Sequence, residues 1–290
     1  MNPKALGLAC LCGLIFASNL SAQQTPKVNF PAASPACTLK QRVGLTDIEI
    51  EYSRPGVKGR KIFGGILPYD RVWRTGANSA TKITFSTPVK LEGHDITAGT
   101  YALFTIPGED EWTIIINKNA NQWGAFRYDE KQDLVRFKVK PVEIAEQIET
   151  FTIEFNHIRD ESAVINLVWD HTVVPIHLEI DLTDKLVPQI EAAMASKDKK
   201  SAAFYFQAAT FYYDHNLDLH KALDWVNAGL EDNPFIAFEM LHLKAQILAK
   251  LGDKEGAIAA AKKSTELAIK VEGPGNSFVE MNQDLINSLQ

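Results

Sequence analysis

Six basic side chains fall within 21 residues of this chain: Arg54, Lys58, Arg60, Lys61, Arg71 and Arg74, opposed only by Asp70. That is a local charge of +5 on a chain whose net charge is −6. Arginine presents a planar fork of donors that matches carboxylate, sulfate or phosphate. Converging, Arg54, Arg60 and Arg74 would make an anion site, with Thr75 and Asn78 adding neutral hydrogen bonds. Gly56, Gly59, Gly64, Gly65 and Gly76 permit close backbone approach. The competing reading is structural. The same arginines can pair with Glu49, Glu51 or the acidic second half of the chain, or hold loop carbonyls.

Trp73, Trp112, Trp123 and Trp169 all lie in the first 170 residues. A solvent-facing tryptophan beside polar groups holds sugar rings by stacking and hydrogen bonding. Trp112 and Trp169 fall in alternating, strand-like sequence and are expected in the core. Trp123, within Asn121-Gln-Trp-Gly124, is the expected exposed platform.

Metal chemistry has little to build on. The pairs His94/Asp95, His157/Asp160, Asp170/His171 and His177/Glu179 are the nearest candidates, and His177 and Glu179 share a strand face. No zinc-type Cys/His spacing and no His-Glu-x-x-His occurs, so no metal and no cofactor are expected. The chain also lacks a Gly-x-Ser-x-Gly elbow, a phosphate-binding glycine loop and a dinucleotide fingerprint. Acid–base chemistry would have to come from the arginine patch with Asp170 or His171.

Alternation with period two runs from Cys37 to Asp181 and predicts half-buried strands. Ile48, Ile50 and Tyr52 alternate with Glu49, Glu51 and Ser53. Phe151, Ile153 and Phe155 alternate with Thr152, Glu154 and Asn156, and Val174, Ile176, Leu178 and Ile180 with Pro175, His177, Glu179 and Asp181. Pro107-Gly-Glu-Asp110 and Glu92-Gly-His-Asp95 read as turns. Many short strands without helices between them predict an antiparallel β-sandwich, with a closed barrel as the alternative.

The texture changes after Asp181. Thr183 is a plausible N-cap for a helix to about Ser196, and Lys197-Asp-Lys-Lys200 breaks it. Beyond Ser201 the spacing of aromatics and alanines suggests paired helices. Tyr213 precedes Ala222 by nine residues, as Leu248 precedes Ala257, and the two alanines lie 35 apart. The tetratricopeptide period is about 34. Pro234 falls where such a repeat ends, Gly273-Pro-Gly275 stops a helix, and Asn276 can cap a last one. Two such units are too few to stand alone. The helical part is therefore expected to dock on the sandwich or to stack on another chain.

Tyr52-Ser-Arg-Pro55 and Val72-Trp-Arg-Thr-Gly-Ala-Asn78 together resemble the domain-of-unknown-function family numbered 2911, a group of secreted bacterial envelope proteins. Ala98–Pro107, Glu111-Trp-Thr-Ile-Ile115, Asn117 and Asn121-Gln-Trp-Gly-Ala125 extend the likeness over about Ser34 to Asp181. The resemblance implies a β-rich domain and an envelope location, and it implies no catalytic residue.

Lys4, an apolar run from Ala5 to Ala17 and small residues up to Ala22 have the pattern of a secretory signal peptide. The run is too short to span a bilayer, which needs about 20 apolar residues. Cleavage after Ala22 would remove Lys4, Cys10 and Cys12, leaving net charge −7 and Cys37 as the single cysteine. No internal disulfide is then available. The acidity argues against nucleic-acid binding, and the mature chain has no apolar stretch long enough to cross a membrane.

The expected layout is a segregated α+β chain: signal peptide 1–22, linker 23–36, β-sandwich 37–182 and tetratricopeptide-like helical region 183–290. The expected function is an exported binding module, periplasmic, envelope-associated or secreted, and not an enzyme. An anionic or sugar-like small ligand would be held by Arg54, Arg60, Arg74, Thr75, Asn78 and Trp123. Residues 201–290 would contact a protein partner or another copy. The alternatives are a hydrolase acting on envelope polymers or glycans, and a purely structural envelope protein.

Overall fold

The structure is a computed structural model that describes residues 29–232 and 234–290. The expected signal peptide lies outside the described residues. Among the described residues ten strands are followed by six α-helices. The strands are β1 (Ala36–Val43), β2 (Thr46–Ser53), β3 (Thr81–Phe85), β4 (Val89–Leu91), β5 (His94–Ile96), β6 (Gly99–Ile106), β7 (Trp112–Asn117), β8 (Asp133–Val139), β9 (Val142–Asn156) and β10 (Ser162–Glu179). The helices are α1 (Thr183–Ala195), α2 (Ala202–Asp214), α3 (Leu219–Leu230), α4 (Ala237–Lys250), α5 (Lys254–Glu272) and α6 (Ser277–Leu289). The chain is thus an α+β protein with its two halves segregated.

All strand pairs are antiparallel, in two sheets: β1-β2-β3-β6-β7-β8 and β5-β4-β10-β9. The alternation read from sequence sets the inward faces. Ile48, Ile50 and Tyr52 of one sheet meet Phe151, Ile153, Val174, Ile176 and Leu178 of the other in one buried cluster. β4 and β5 are joined at Glu92 and Gly93, both with positive φ, a tight turn whose twist suits a hairpin. Ala80, Ala102, Phe104 and Ile115 form a smaller apolar cluster on the other face of the large sheet.

The helices pack as α2–α3 and α4–α5 pairs with α6 against α5. Ala222, Ala257 and Ala261 are fully buried, which allows their helices to approach closely. α1 does begin at Thr183, yet Thr183 is not its N-cap. Leu182 occupies that position without a side-chain bond, and the Asp181 carboxylate accepts from the Asp184 amide at 3.1 Å. Asn276 does cap α6, accepting from Phe278 N–H, and Gly273 ends α5 at φ 93°. Leu182, Leu186 and Phe211 pack against the sandwich core, so the helical half docks on the strands.

Candidate functional site

Residues 54–80 form a strap between the two sheets. At one end Val57 N–H donates to Glu149 O at 2.7 Å and Phe151 N–H to Pro55 O at 2.9 Å, both on β9. At the other end Trp73 and Thr105 of β6 exchange backbone bonds of 2.7 and 2.9 Å. Its mixed composition follows from this placement. Val57, Ile62 and Trp73 are buried in the sandwich core, whereas Lys58, Arg60, Lys61 and Arg71 remain exposed. Trp73 stacks on Trp169 with 5.8 Å between ring centroids and meets Phe151 edge-on at 5.2 Å. Its indole N–H is satisfied by Gly76 O at 2.9 Å. Gly76, at φ 151°, sits where a Cβ would come within 2.9 Å of Ser53 O, so the close turn needs a glycine.

The arginines do not converge. Arg54 reaches β9, donating to Phe151 O at 3.0 Å and to Thr152 Oγ1 at 2.6 Å. Arg60 closes its own turn on Val57 O at 3.0 Å and Gly56 O at 2.6 Å. These two side chains hold backbone. Arg74 differs: its Nε is buried without a hydrogen-bond partner, and among the described residues its guanidinium has no ion pair. Burial pulls its pKa below the ordinary arginine value, with no carboxylate to oppose the shift.

Thr75 is fully buried at φ 54°, an unusual backbone region for a β-branched residue. Its hydroxyl bonds Thr105 Oγ1 at 3.2 Å, so it is spent inside the fold and does not face solvent. Asn78, also at positive φ, is exposed, and its amide donates to Ser34 O and Ser53 Oγ, each at 3.2 Å.

Asn78 is brought next to the tryptophan loop. Gly124 N–H donates to Asn78 O at 3.0 Å, and Ser79 bridges to Trp123. Trp123 is 65 % exposed, and Phe126 on the same loop is 87 % exposed. Sequence reading missed Phe126, although an aromatic three residues past Trp123 in a polar loop was a usable signal. The loop beneath them is braced by buried polar groups. Gln122 donates to Asn117 Oδ1 at 3.2 Å and Asn119 O at 2.7 Å, and Asn117 donates to Asp133 Oδ1 at 2.7 Å. Tyr128 donates to Asp133 Oδ2 at 2.6 Å, and Arg136 bonds both Tyr128 and Asp133. Burial first, then the Asp133 carboxylate, push the Tyr128 phenol up to about 12. Two exposed aromatics thus stand on a loop fixed from below, the arrangement that lowers the ordering cost of binding.

Among the described residues no group of three or more His, Cys, Asp or Glu side chains is placed to hold a metal. His177 Nδ1 instead meets Glu92 Oε1 at 2.9 Å. No helix among them is long and apolar enough to cross a membrane.

A two-sheet sandwich closed by a strap and followed by helical hairpins is the class of architecture in hand. Residues 34–178 match the family described as "Protein of unknown function (DUF2911)", and the chain belongs to that family. No curated protein and no solved structure matches the chain.

Proposed function

We propose that this is an exported, envelope-associated binding protein without catalytic activity, whose ligand is a glycan bearing an anionic group. The observation that carries this reading is the braced loop presenting Trp123 beside Asn78. A large exposed aromatic on a rigid polar loop offers a stacking face at little entropic cost. Arg74, a half-buried arginine of the strap without an internal partner, supplies the charge preference. Export rests on the pattern of residues 1–22 and on the family resemblance. The helices, stacked in hairpins, serve protein contact or self-association through residues 201–290.

The purely structural reading has its own support. Arg54, Arg60, Thr75 and Asn78 all make bonds within the chain, as a strap that only closes the sandwich would require. Calorimetric titration of residues 23–290 with neutral and sulfated or carboxylated oligosaccharides separates the two. The binding reading expects saturable uptake that favours the anionic ligands, is lost in Trp123→Ala and loses its charge preference in Arg74→Ala. Absence of uptake across the panel would leave the structural reading standing.

A further inference from the structure

A cleft of about 250 Å³ opens where the strap, the β6–β7 turn and the β9–β10 ribbon meet. Phe63 and Tyr69 of the strap, Glu109 of the turn, and Glu143, His171 and Thr172 of the ribbon line it. Glu143 lies directly opposite Thr172 in the strand register, so both side chains project from the same face. The ribbon is irregular on both sides of Asp170, which adopts φ 54°. Such irregularities re-aim the side chains beside them.

His171 Nδ1 lies 3.1 Å from Ile144 O. A carbonyl only accepts, so Nδ1 carries the proton in the neutral ring and Nε2, which lies 4.0 Å from Asp170 Oδ1, is the acceptor of that neutral form. Neither Glu109 nor Glu143 has an ion-pair or hydrogen-bond partner among the described residues, whereas nearby Glu111 is held by Lys138 at 2.8 Å. No lysine or arginine lines the cleft. Its walls therefore combine two unpaired carboxylates, one imidazole acceptor and two half-buried aromatic rings.

We propose that this cleft binds a small organic cation, a protonated amine on a compact body. The ammonium would donate to the carboxylates of Glu109 and Glu143, and the rings of Phe63 and Tyr69 would add cation–π attraction. A neutral sugar could supply hydrogen-bond donors but would leave both carboxylates uncompensated. The volume lies below the usual range for drug-sized ligands, about 300–1,000 Å³, so the ligand is small. This site is separate from the Trp123 loop and does not depend on the function proposed above.

The test is calorimetric titration of residues 23–290 with cadaverine and glucosamine, and with glucose and N-acetylglucosamine as neutral counterparts. Saturable binding of the amines alone is expected. Glu109→Gln and Glu143→Gln should each weaken it by about fivefold or more, the double variant should abolish it, and Trp123→Ala should leave it unchanged. Equal binding of the neutral sugars would overturn the proposal. So would amine binding that survives the double variant, or no saturable binding at all.

Discussion

Oε2 of Glu161 lies 3.1 Å from Nε2 of His215, joining the turn before β10 to the end of α2. The same carboxylate accepts from Leu182 N–H through Oε1 at 3.0 Å, and the Glu161 backbone carbonyl accepts from Ile180 N–H at 2.8 Å. One residue of the sandwich thus fixes both the entry into the helices and the helix packed beside it. Replacing Glu161 by Ala strands a partly buried imidazole and a backbone amide. We expect a loss of about 1–3 kcal/mol in urea denaturation, with hydrogen exchange rising first in α1 and α2. Uniform exchange across the helical half would place the docking energy elsewhere.

The strap carries arginines that hold their neighbours, Arg54 and Arg60, and a half-buried one, Arg74, that does not. Arg54→Ala removes charge-assisted bonds to β9 and should cost about 1.5–3 kcal/mol. Arg74→Ala removes a half-buried charge that lacks an internal partner and should change stability by no more than about 0.5 kcal/mol. Thermal or urea unfolding of the two variants checks the ranking, and a larger loss in Arg74→Ala would reverse the assignment.

Much of this was legible in advance, and the failures have a physical pattern. Alternation located the inward faces of β2, β9 and β10, because burial of one sheet face imposes period two directly on residue types. Asn276 and Gly273 were legible because caps and stops depend on local chemistry. The fate of the strap was not. Arg54 bonds residues nearly a hundred positions away, and nothing in residues 52–78 announces that their partner is β9. Thr75 resembled an exposed ligand group, and only the tertiary turn at Gly76 buries it. Trp123 was legible as exposed from its polar neighbours. Its bracing was not, since it runs through Asn117 and Asp133 on separate strands.

Tyr128 gives the bracing network a signature in alkali. Its phenol is raised from 10 to about 12, so the folded state favours the neutral form. That contribution is complete below pH 10 and wanes as pH climbs through 10 to 12. Wild-type melting temperature should therefore fall across this window by more than that of Tyr128→Phe, which has no phenol to ionise. Parallel pH profiles would mean that Tyr128 does not sustain the loop.

The helical half holds a buried polar relay. His242 Nδ1 meets Asn282 Oδ1 at 2.7 Å, Asn282 donates to Ser264 Oγ at 2.9 Å, and Ser264 donates to Phe238 O at 2.7 Å. The relay links α4, α5 and α6. Asn282→Ala leaves the His242 donor unpaired in the core and should cost about 2 kcal/mol in chemical denaturation. Retained stability would show that packing alone holds α6.

The most direct test of the binding account uses the tryptophan indole N–H signals in a nitrogen-15 NMR titration with a sulfated oligosaccharide. Trp73, Trp112 and Trp169 are buried, Trp225 lies on α3, and Trp123 is 65 % exposed. The account predicts that the Trp123 signal shifts saturably with added ligand while the four others stay in place. A titration that leaves Trp123 unmoved, or shifts Trp225 instead, would contradict it.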